Sequence, residues 1–173
     1  EDFDGARFYA HTKRAQVILN RAWAERFPAE RIAFFAMHPG WVDTPGLRAA
    51  AERHHRRLIN VRTPPRDITV GTGARRTGKR LLTVGTDCAL GKKYTALALT
   101  RSFRARGVDA DFRATGQTGI MIAGSGMPMD AVVADFEAGA GERLSPDADA
   151  DHWDVIEGQG SLFHPSYAAV SLG

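Results

Sequence analysis

The amino-acid sequence predicts an α/β fold built on an incomplete parallel sheet, with a separate helix-and-strand fragment in front of it. Two observations support this prediction. Apolar strand patterns alternate with amphipathic helical patterns from residue 79 onward, and a glycine-rich loop joins the first of these strands to a helix. The 173 residues are 43% apolar and 25% charged, as is usual for a globular chain. We expect three segments: residues 1–48, 49–78 and 79–173.

The first segment contains the pattern of a helix followed by a buried strand. Apolar positions recur over residues 8–27, Pro28 marks the end of the helix, and residues 31–37 form an apolar run. This pattern predicts a Rossmann-type helix-strand fragment of a parallel sheet.

Tyr9 and Lys13 lie one helical turn apart in this segment, so both side chains reach the same side of the helix. In an oxidoreductase, a lysine at this spacing helps a tyrosine to transfer a proton. With the strand and the His38-Pro39-Gly40 turn that follow, residues 1–48 resemble the C-terminal part of a short-chain dehydrogenase/reductase. That family's dinucleotide loop lies far upstream of the tyrosine, and only eight residues precede Tyr9. We therefore expect no NAD(P) binding by this piece and interpret Tyr9 and Lys13 as a relic pair.

Residues 49–78 are interpreted as a basic linker and the start of the second part of the chain. Residues 48–80 carry ten lysines and arginines against Glu52 and Asp67. A polar helix is predicted to continue past residue 48, with a short strand over residues 58–62 and then Pro- and Gly-rich loop. Such a stretch can attract anionic ligands or remain a solvated linker. No aromatic residues interleave with the arginines of residues 48–80, so nucleic-acid binding is not expected.

The loop after residue 84 organises the third segment. A short apolar strand over residues 81–84 runs into the spacing G-x-x-x-x-G-K, which then opens a helix. Gly85 and Gly91 are expected to adopt positive φ and bring backbone N–H groups close to phosphate oxygens, while Lys92 adds a point charge. This is the sheet and loop arrangement of the P-loop NTPase type. The predicted phosphate-binding residues are Gly85, Thr86, Asp87, Cys88, Ala89, Leu90, Gly91, Lys92, Lys93, Tyr94 and Thr95.

The position after the loop lysine departs from the usual pattern. A Ser or Thr there would hold Mg²⁺, and this chain has Lys93, with Thr95 two residues further on. The replacement weakens the case for Mg-nucleotide hydrolysis more than the case for phosphate binding.

Two further stretches are candidates for the site. A helix over residues 94–106 and a strand over residues 108–114 lead to a loop rich in glycine and hydroxyl groups, where open α/β sheets place ligands. An apolar strand over residues 153–156 ends in Glu157 and Gly-x-Gly, a position where an acid holds Mg²⁺ or acts as a base. We predict Lys92 and Glu157 as catalytic residues and Glu157 as a metal ligand. The predicted substrate loop comprises Thr115, Gly116, Gln117, Thr118 and Gly119.

Three motifs in order, at residues 85–92, 114–124 and 156–165, resemble a bacterial family first described as a domain of unknown function and now associated with D-glutamate N-acetyltransferase. The loop and the strand end also resemble dethiobiotin synthetase, an ATP- and Mg²⁺-dependent carboxylate-activating ligase. The first resemblance implies acetyl transfer from acetyl-CoA to a D-amino acid amine, with the CoA phosphates held by the loop and Lys92. The second implies ATP and Mg²⁺ as the alternative.

The two resemblances together indicate a chimera or a fragment, in which a dehydrogenase-like front precedes a phosphate-loop domain truncated at its C-terminus. An inactive phosphate-binding remnant is therefore a further alternative. A small-molecule substrate is expected, no membrane span is predicted, and the oligomeric state is open. With one Cys and no signal-peptide pattern, a cytoplasmic location is expected.

Overall fold

The computed structural model describes residues 5–27, 45–56 and 58–164. The chain divides into two compact units, Glu1–Leu58 and Ile59–Gly173. Within the described residues, no helix is both long and apolar enough to cross a membrane.

The first unit contains two described helices, α1 (Gly5–Arg26) and α2 (Pro45–Arg53). α1 confirms the helix predicted over residues 8–27. Its apolar side chains are not buried against the described part of the chain, since Val17 is 55% and Ile18 59% exposed. The strand predicted over residues 31–37 and the turn at residues 38–40 lie outside the described residues.

The strand predicted over residues 58–62 is wrong. These residues are irregular and end in a turn. The Asn60 side chain accepts a hydrogen bond from the N–H of Arg62 at 3.0 Å, which is the geometry of an Asx turn and bends the chain. Ile59 is 67% exposed, so burial does not favour an extended conformation there.

The described part of the second unit is an α/β domain with three parallel strands, which confirms the predicted fold class. The strand order is β1-β3-β2, so the last of the three described strands in the sequence is the central one. The elements in chain order are β1 (Lys79–Leu82), α3 (Lys92–Ala105), β2 (Ala110–Arg113), α4 (Gln117–Ala123), 3-10 turns at Met129–Ala131 and Ala134–Phe136, α5 (Glu137–Leu144) and β3 (Trp153–Ile156).

One face of the sheet is apolar and packs on α3. Val155 on β3 and Ala96 on α3 are both fully buried. The ring of Phe103 on α3 meets Trp153 edge to face, with ring centroids 5.3 Å apart. Gly107, at φ 75°, follows the end of this helix in the left-handed conformation that glycine adopts without strain.

The other face carries a buried charge cluster centred on Asp154, which is 1% exposed. Its carboxylate accepts hydrogen bonds from Nε of Arg113 at 2.6 Å and from Oγ of Ser145 at 2.5 Å, and it lies 3.2 Å from Nε2 of His152. Burial opposes the ionisation of Asp154, but the hydrogen bonds from Ser145 and Arg113 outweigh it and hold its pKa below the usual value. The buried negative charge is therefore compensated on several sides.

Part of the segment predicted to be a linker belongs to the second unit and contacts α5. The Glu142 carboxylate accepts the backbone N–H groups of Thr72 at 2.9 Å and Gly73 at 2.8 Å, and these two bonds lower its pKa. Asp67 pairs with Arg143 on the same helix at 2.7 Å. Backbone N–H groups and an acidic side chain of this stretch thus contact α5, and Arg62 pairs with Asp130 at 2.9 Å.

Two glycines of α5 provide a matched test of this packing. A Cβ at Gly139 would lie 1.8 Å from the carbonyl oxygen of Thr69, whereas a Cβ at Gly141 would meet nothing within 4 Å. We expect Gly139→Ala to lower the free energy of unfolding by about 1–3 kcal/mol through overpacking. We expect Gly141→Ala to raise it by up to about 1 kcal/mol because alanine favours helix. Urea denaturation of both variants measures the difference, and equal effects would contradict the close approach of Thr69.

The pH dependence of stability should report on His152. Its hydrogen bond to Asp109, with Nδ1 and Oδ2 2.7 Å apart, raises the pKa of the imidazole against the opposing effect of burial. Because the folded pKa lies above the unfolded value of about 6.5, this stabilisation is complete below that pH and is lost as pH rises through the folded pKa. We expect the free energy of unfolding, measured by urea denaturation at several pH values, to fall less over this range in His152→Asn than in the unmodified chain. His55→Asn, at an exposed position, should show the same fall as the unmodified chain.

Candidate phosphate-binding site

The candidate site lies at the carboxyl edge of the sheet. Because all three strands are parallel, the loops after β1, β3 and β2 emerge at this same edge, and β3 brings its loop between the other two. An open depression of about 500 Å³ lies at the opposite edge, beside Asp109 and His152, and is separate from these loops.

Thr83 joins the ends of β1 and β3. Its hydroxyl oxygen accepts the N–H of Gly158 at 3.1 Å and lies 3.2 Å from the carbonyl oxygens of Lys92 and Ile156, to one of which it donates its proton. A Cβ at Gly158 would lie 1.7 Å from the Thr83 carbonyl oxygen. The first glycine of the Gly-x-Gly motif is therefore required by this close approach of two backbones.

The phosphate loop connects β1 to α3 and is exposed over residues 86–90. Gly91 has φ 95°, as predicted, and is the N-cap of α3 without a side-chain hydrogen bond. The first N–H groups of α3 have no acceptor within the helix, so they are available to an anion. The positive φ predicted for Gly85 is wrong: Gly85 packs closely, since a Cβ there would lie 3.3 Å from the Asp87 carbonyl oxygen, and Ala89 adopts φ 59° instead.

Lys92 bridges the phosphate loop and the loop after β3. Its Nζ donates to the carbonyl oxygens of Asp87 at 3.0 Å and Gly160 at 2.7 Å. The two loops are also joined by hydrogen bonds from Oγ of Ser161 to the Thr86 carbonyl and from the N–H of Leu162 to the Gly85 carbonyl, each at 2.9 Å. The structure thus brings the predicted catalytic lysine to the centre of the loop pair.

Three predicted phosphate-binding residues have other contacts. The Lys93 ammonium lies 4.7 Å from the ring centre of Tyr94, which is 67% exposed. The Thr95 hydroxyl donates to the Gly91 carbonyl at 3.2 Å, one turn back in its own helix. The Thr95 hydroxyl is thus bonded to its own helix in this structure.

Glu157 is buried, with 4% of its surface exposed. Its Oε2 accepts the backbone N–H groups of Thr115 and Gly116, both at 3.0 Å. No group of three or more His, Cys, Asp or Glu residues suited to a metal occurs in the part of the chain that the structure describes. The catalytic and metal-binding roles of Glu157 stay predictions, and its observed partners are backbone amides.

The predicted substrate loop is partly helical, which corrects the sequence interpretation. Thr115 and Gly116 are irregular, but Gln117, Thr118 and Gly119 begin α4. The Glu157 carboxylate at the first turn of this helix supplies the negative charge that favours a helix N-terminus. Gln159 also reaches across, donating from Nε2 to Oγ1 of Thr115 at 3.0 Å.

Tyr9 and Lys13 lie in α1 of the first unit, one turn apart as predicted. Lys13 is exposed, and the Tyr9 side chain is outside what the structure describes. Their interpretation as a relic pair stays a prediction.

Sequence analysis did not identify the roles of Thr83 and Thr115. Both are buried threonines that lie one or two residues after a strand and one or two residues before a glycine. A threonine at the point where the backbone leaves the sheet is the sequence feature that could have predicted these roles.

The fold and the loop place the second unit among P-loop domains of the α/β class. The chain belongs to the family described as "Domain of unknown function (DUF1611_C) P-loop domain", whose family model matches residues 68–173. A solved structure of a DUF1611 family protein from Anabaena variabilis superposes with a TM-score of 0.67 at 40% identity, over 75% of this chain and 38% of that one.

Two curated relatives carry the name D-glutamate N-acetyltransferase. The protein from Tritonibacter scottomollicae is 57% identical over 75% of this chain and 39% of its own length. The protein from a Pseudoalteromonas species is 54% identical over 73% of this chain and 38% of its own length. The chain therefore spans less than two fifths of the length of these relatives.

A different family matches a shorter stretch. "Dehydrogenase/reductase SDR family member 12" from Bos taurus is 54% identical over 56 residues, which are 32% of this chain and 17% of that protein. The chain has relatives in two families, as the two resemblances in its sequence indicated.

Replacing the Thr83 hydroxyl tests the joint between β1 and β3. We expect Thr83→Val, which keeps the shape of the side chain, to lower the free energy of unfolding by about 1–3 kcal/mol because the buried N–H of Gly158 loses its acceptor. Thr63→Val, at an exposed position, should change it by less than about 0.5 kcal/mol. Denaturant titration of both variants checks this, and similar losses would contradict the role of the Thr83 hydroxyl.

Proposed function

We propose that the second unit is the phosphate-binding domain of a D-amino acid N-acetyltransferase-like protein that uses acetyl-CoA, with D-glutamate as the acceptor. The observation that supports this most directly is the position of Lys92, whose ammonium lies between the loop after β1 and the loop after β3. The name carried by the two curated relatives supports the choice of reaction and acceptor.

The electrostatics of the edge favour a phosphate ligand. α3 directs its uncapped N-terminus at an exposed loop, and Lys92 adds a full positive charge beside it. The Asp87 carboxylate is bonded within the loop, where its Oδ1 accepts the N–H of Cys88 at 2.6 Å. A ligand phosphate would exchange for the two carbonyl partners of Lys92, and an ammonium attracts a phosphate anion more strongly than it attracts a neutral carbonyl.

The surroundings of the loop favour CoA over a magnesium nucleotide. Lys93 stands where a Mg²⁺-binding hydroxyl is usual, and the Thr95 hydroxyl is bonded to its own helix. The phosphates of CoA are not transferred, so they need positive charge and backbone N–H groups but no metal-assisted hydrolysis. In the proposed reaction, the amine nitrogen attacks the thioester carbonyl, the C–S bond breaks, and the amine proton passes to the CoA thiolate.

One observation favours a second candidate. Glu157 follows the central strand directly beside the phosphate loop, where an acid can hold Mg²⁺. This placement supports an ATP- and Mg²⁺-dependent carboxylate-activating ligase, and phosphate binding without turnover is the corresponding non-enzymatic outcome.

Small-molecule rather than nucleic-acid partners, oligomer formation and a cytoplasmic location all stay predictions.

Calorimetric titration of the chain with acetyl-CoA, and separately with ATP and Mg²⁺, tests the proposal. We expect acetyl-CoA to bind, and Lys92→Ala to weaken that binding by roughly 10- to 100-fold because a charge-assisted contact to phosphate is lost. Lys79→Ala is the matched control, since Lys79 begins β1 at the opposite edge of the sheet and pairs with Asp151. It should leave the affinity unchanged.

A thiol-release assay with acetyl-CoA and D-glutamate, with L-glutamate as the stereochemical control, then tests the reaction. Release of CoA with the D-isomer alone supports the proposed transfer. Consumption of ATP with D-glutamate and no release of CoA would replace it with the ligase function.

A further inference from the structure

We propose that Glu157 is a positioning residue that fixes the turn between β2 and α4 at the ligand edge, through its carboxylate and the backbone of Thr115 and Gly116. Both N–H groups meet the same oxygen, Oε2, at 3.0 Å. The backbone of Glu157 is also bonded to the end of β2 and to the turn. Its N–H donates to the Arg113 carbonyl at 2.9 Å, and its carbonyl accepts a hydrogen bond from the Thr115 hydroxyl. One residue at the end of β3 thus determines where the chain leaves β2.

Gly119 provides an independent observation. A Cβ at this helical position would lie 2.0 Å from Oε2 of Glu157 and 2.8 Å from its carboxyl carbon. Only glycine at residue 119 leaves room for the carboxylate to enter the first turn of α4. The second glycine of the Gly-x-x-Gly spacing at residues 116–119 therefore accommodates an internal anion.

Burial and packing distinguish this role from that of a metal ligand or a general base. A base must reach the substrate proton, and a first metal ligand must present an oxygen to the ion. Glu157 is 4% exposed, and its carboxylate is packed against Gly116 and Gly119. A negative charge at the start of α4 stabilises the helix and holds the turn. Gln159, whose Nε2 donates to the Thr115 hydroxyl, lies beside Gly116 on the same turn between β2 and α4.

The first arm of the test is spectroscopic and needs no ligand. An amide proton bonded to a carboxylate resonates downfield, so Glu157→Gln should move the Thr115 and Gly116 amide signals upfield in ¹H–¹⁵N spectra. Gly119→Ala changes no charged group and should move the same two signals because it displaces the carboxylate. Gly141→Ala, a helical glycine with open space around it, is the matched control and should leave them in place.

The unmodified chain provides a measurement that does not depend on whether either variant folds. Both amide protons are bonded to a buried carboxylate, so hydrogen exchange should be slow at Thr115 and at Gly116. Signals that stay in place in Glu157→Gln, or exchange at either residue as fast as at an exposed loop amide, would overturn the proposal.

The second arm uses ligand binding and rests on the proposed function. We expect Glu157→Gln and Gly119→Ala each to weaken acetyl-CoA binding by about tenfold, the effect of roughly one charge-assisted hydrogen bond. They should weaken ATP binding equally with and without Mg²⁺. A loss confined to the Mg²⁺-dependent part of ATP binding in Glu157→Gln would overturn the positioning role and assign the carboxylate to the metal. If the unmodified chain binds neither ligand, the proposed function fails, and the spectroscopic arm decides the role of Glu157 alone.

Discussion

The carboxyl edge of the sheet depends on the approach of two backbones, at Thr83 directly after β1 and Gly158 after β3. The Thr83 hydroxyl contacts the end of β3, the Gly158 N–H and the start of α3, and the absence of a Cβ at Gly158 allows the backbones to approach. Lys92 begins α3 and contacts the Thr83 hydroxyl through its carbonyl, and its ammonium is bonded to Gly160, two residues after Gly158. Displacing Thr83 or Gly158 would therefore move Lys92 relative to Gly160. The position of the ammonium thus depends on the packing of these two backbone segments.

The two faces of the sheet stabilise it in different ways. The face under α3 is apolar and is closed by the Trp153 and Phe103 rings. The opposite face holds the buried Asp154, whose charge is compensated by Arg113 and whose second oxygen is bonded by Ser145. Arg80 connects this cluster to the end of α5 through Oγ of Ser145 at 2.7 Å. Loss of one partner would leave a buried charge without compensation, which costs more than the intact pair contributes.

Local patterns predicted most of the second unit. The loop spacing, the strand before it and the helix after it are encoded by adjacent residues, and so is the strand that ends at Glu157. What the sequence did not predict depends on distant contacts. α4 is short and glycine-containing, and the carboxylate at its first turn comes from Glu157, about forty residues further along the chain. Asn60 bends an apolar stretch through a side-chain bond, which a strand pattern does not show. Positive φ in the loop occurs at Ala89 and Gly91 and not at Gly85, a distribution that the spacing of the glycines does not show.

The strand order has a consequence for how this domain is made on the ribosome. Of the three described strands, the central one is synthesised last, and Lys79 pairs with Trp153 across more than seventy residues. In the described sheet, β1 and β2 flank β3 and have no ladder with each other, so neither can form this pairing until β3 has left the exit tunnel. At about 5–20 residues per second, the delay for β1 is on the order of 4–15 s. During that interval the backbone groups and apolar side chains of β1 lack the central strand and are open to other chains.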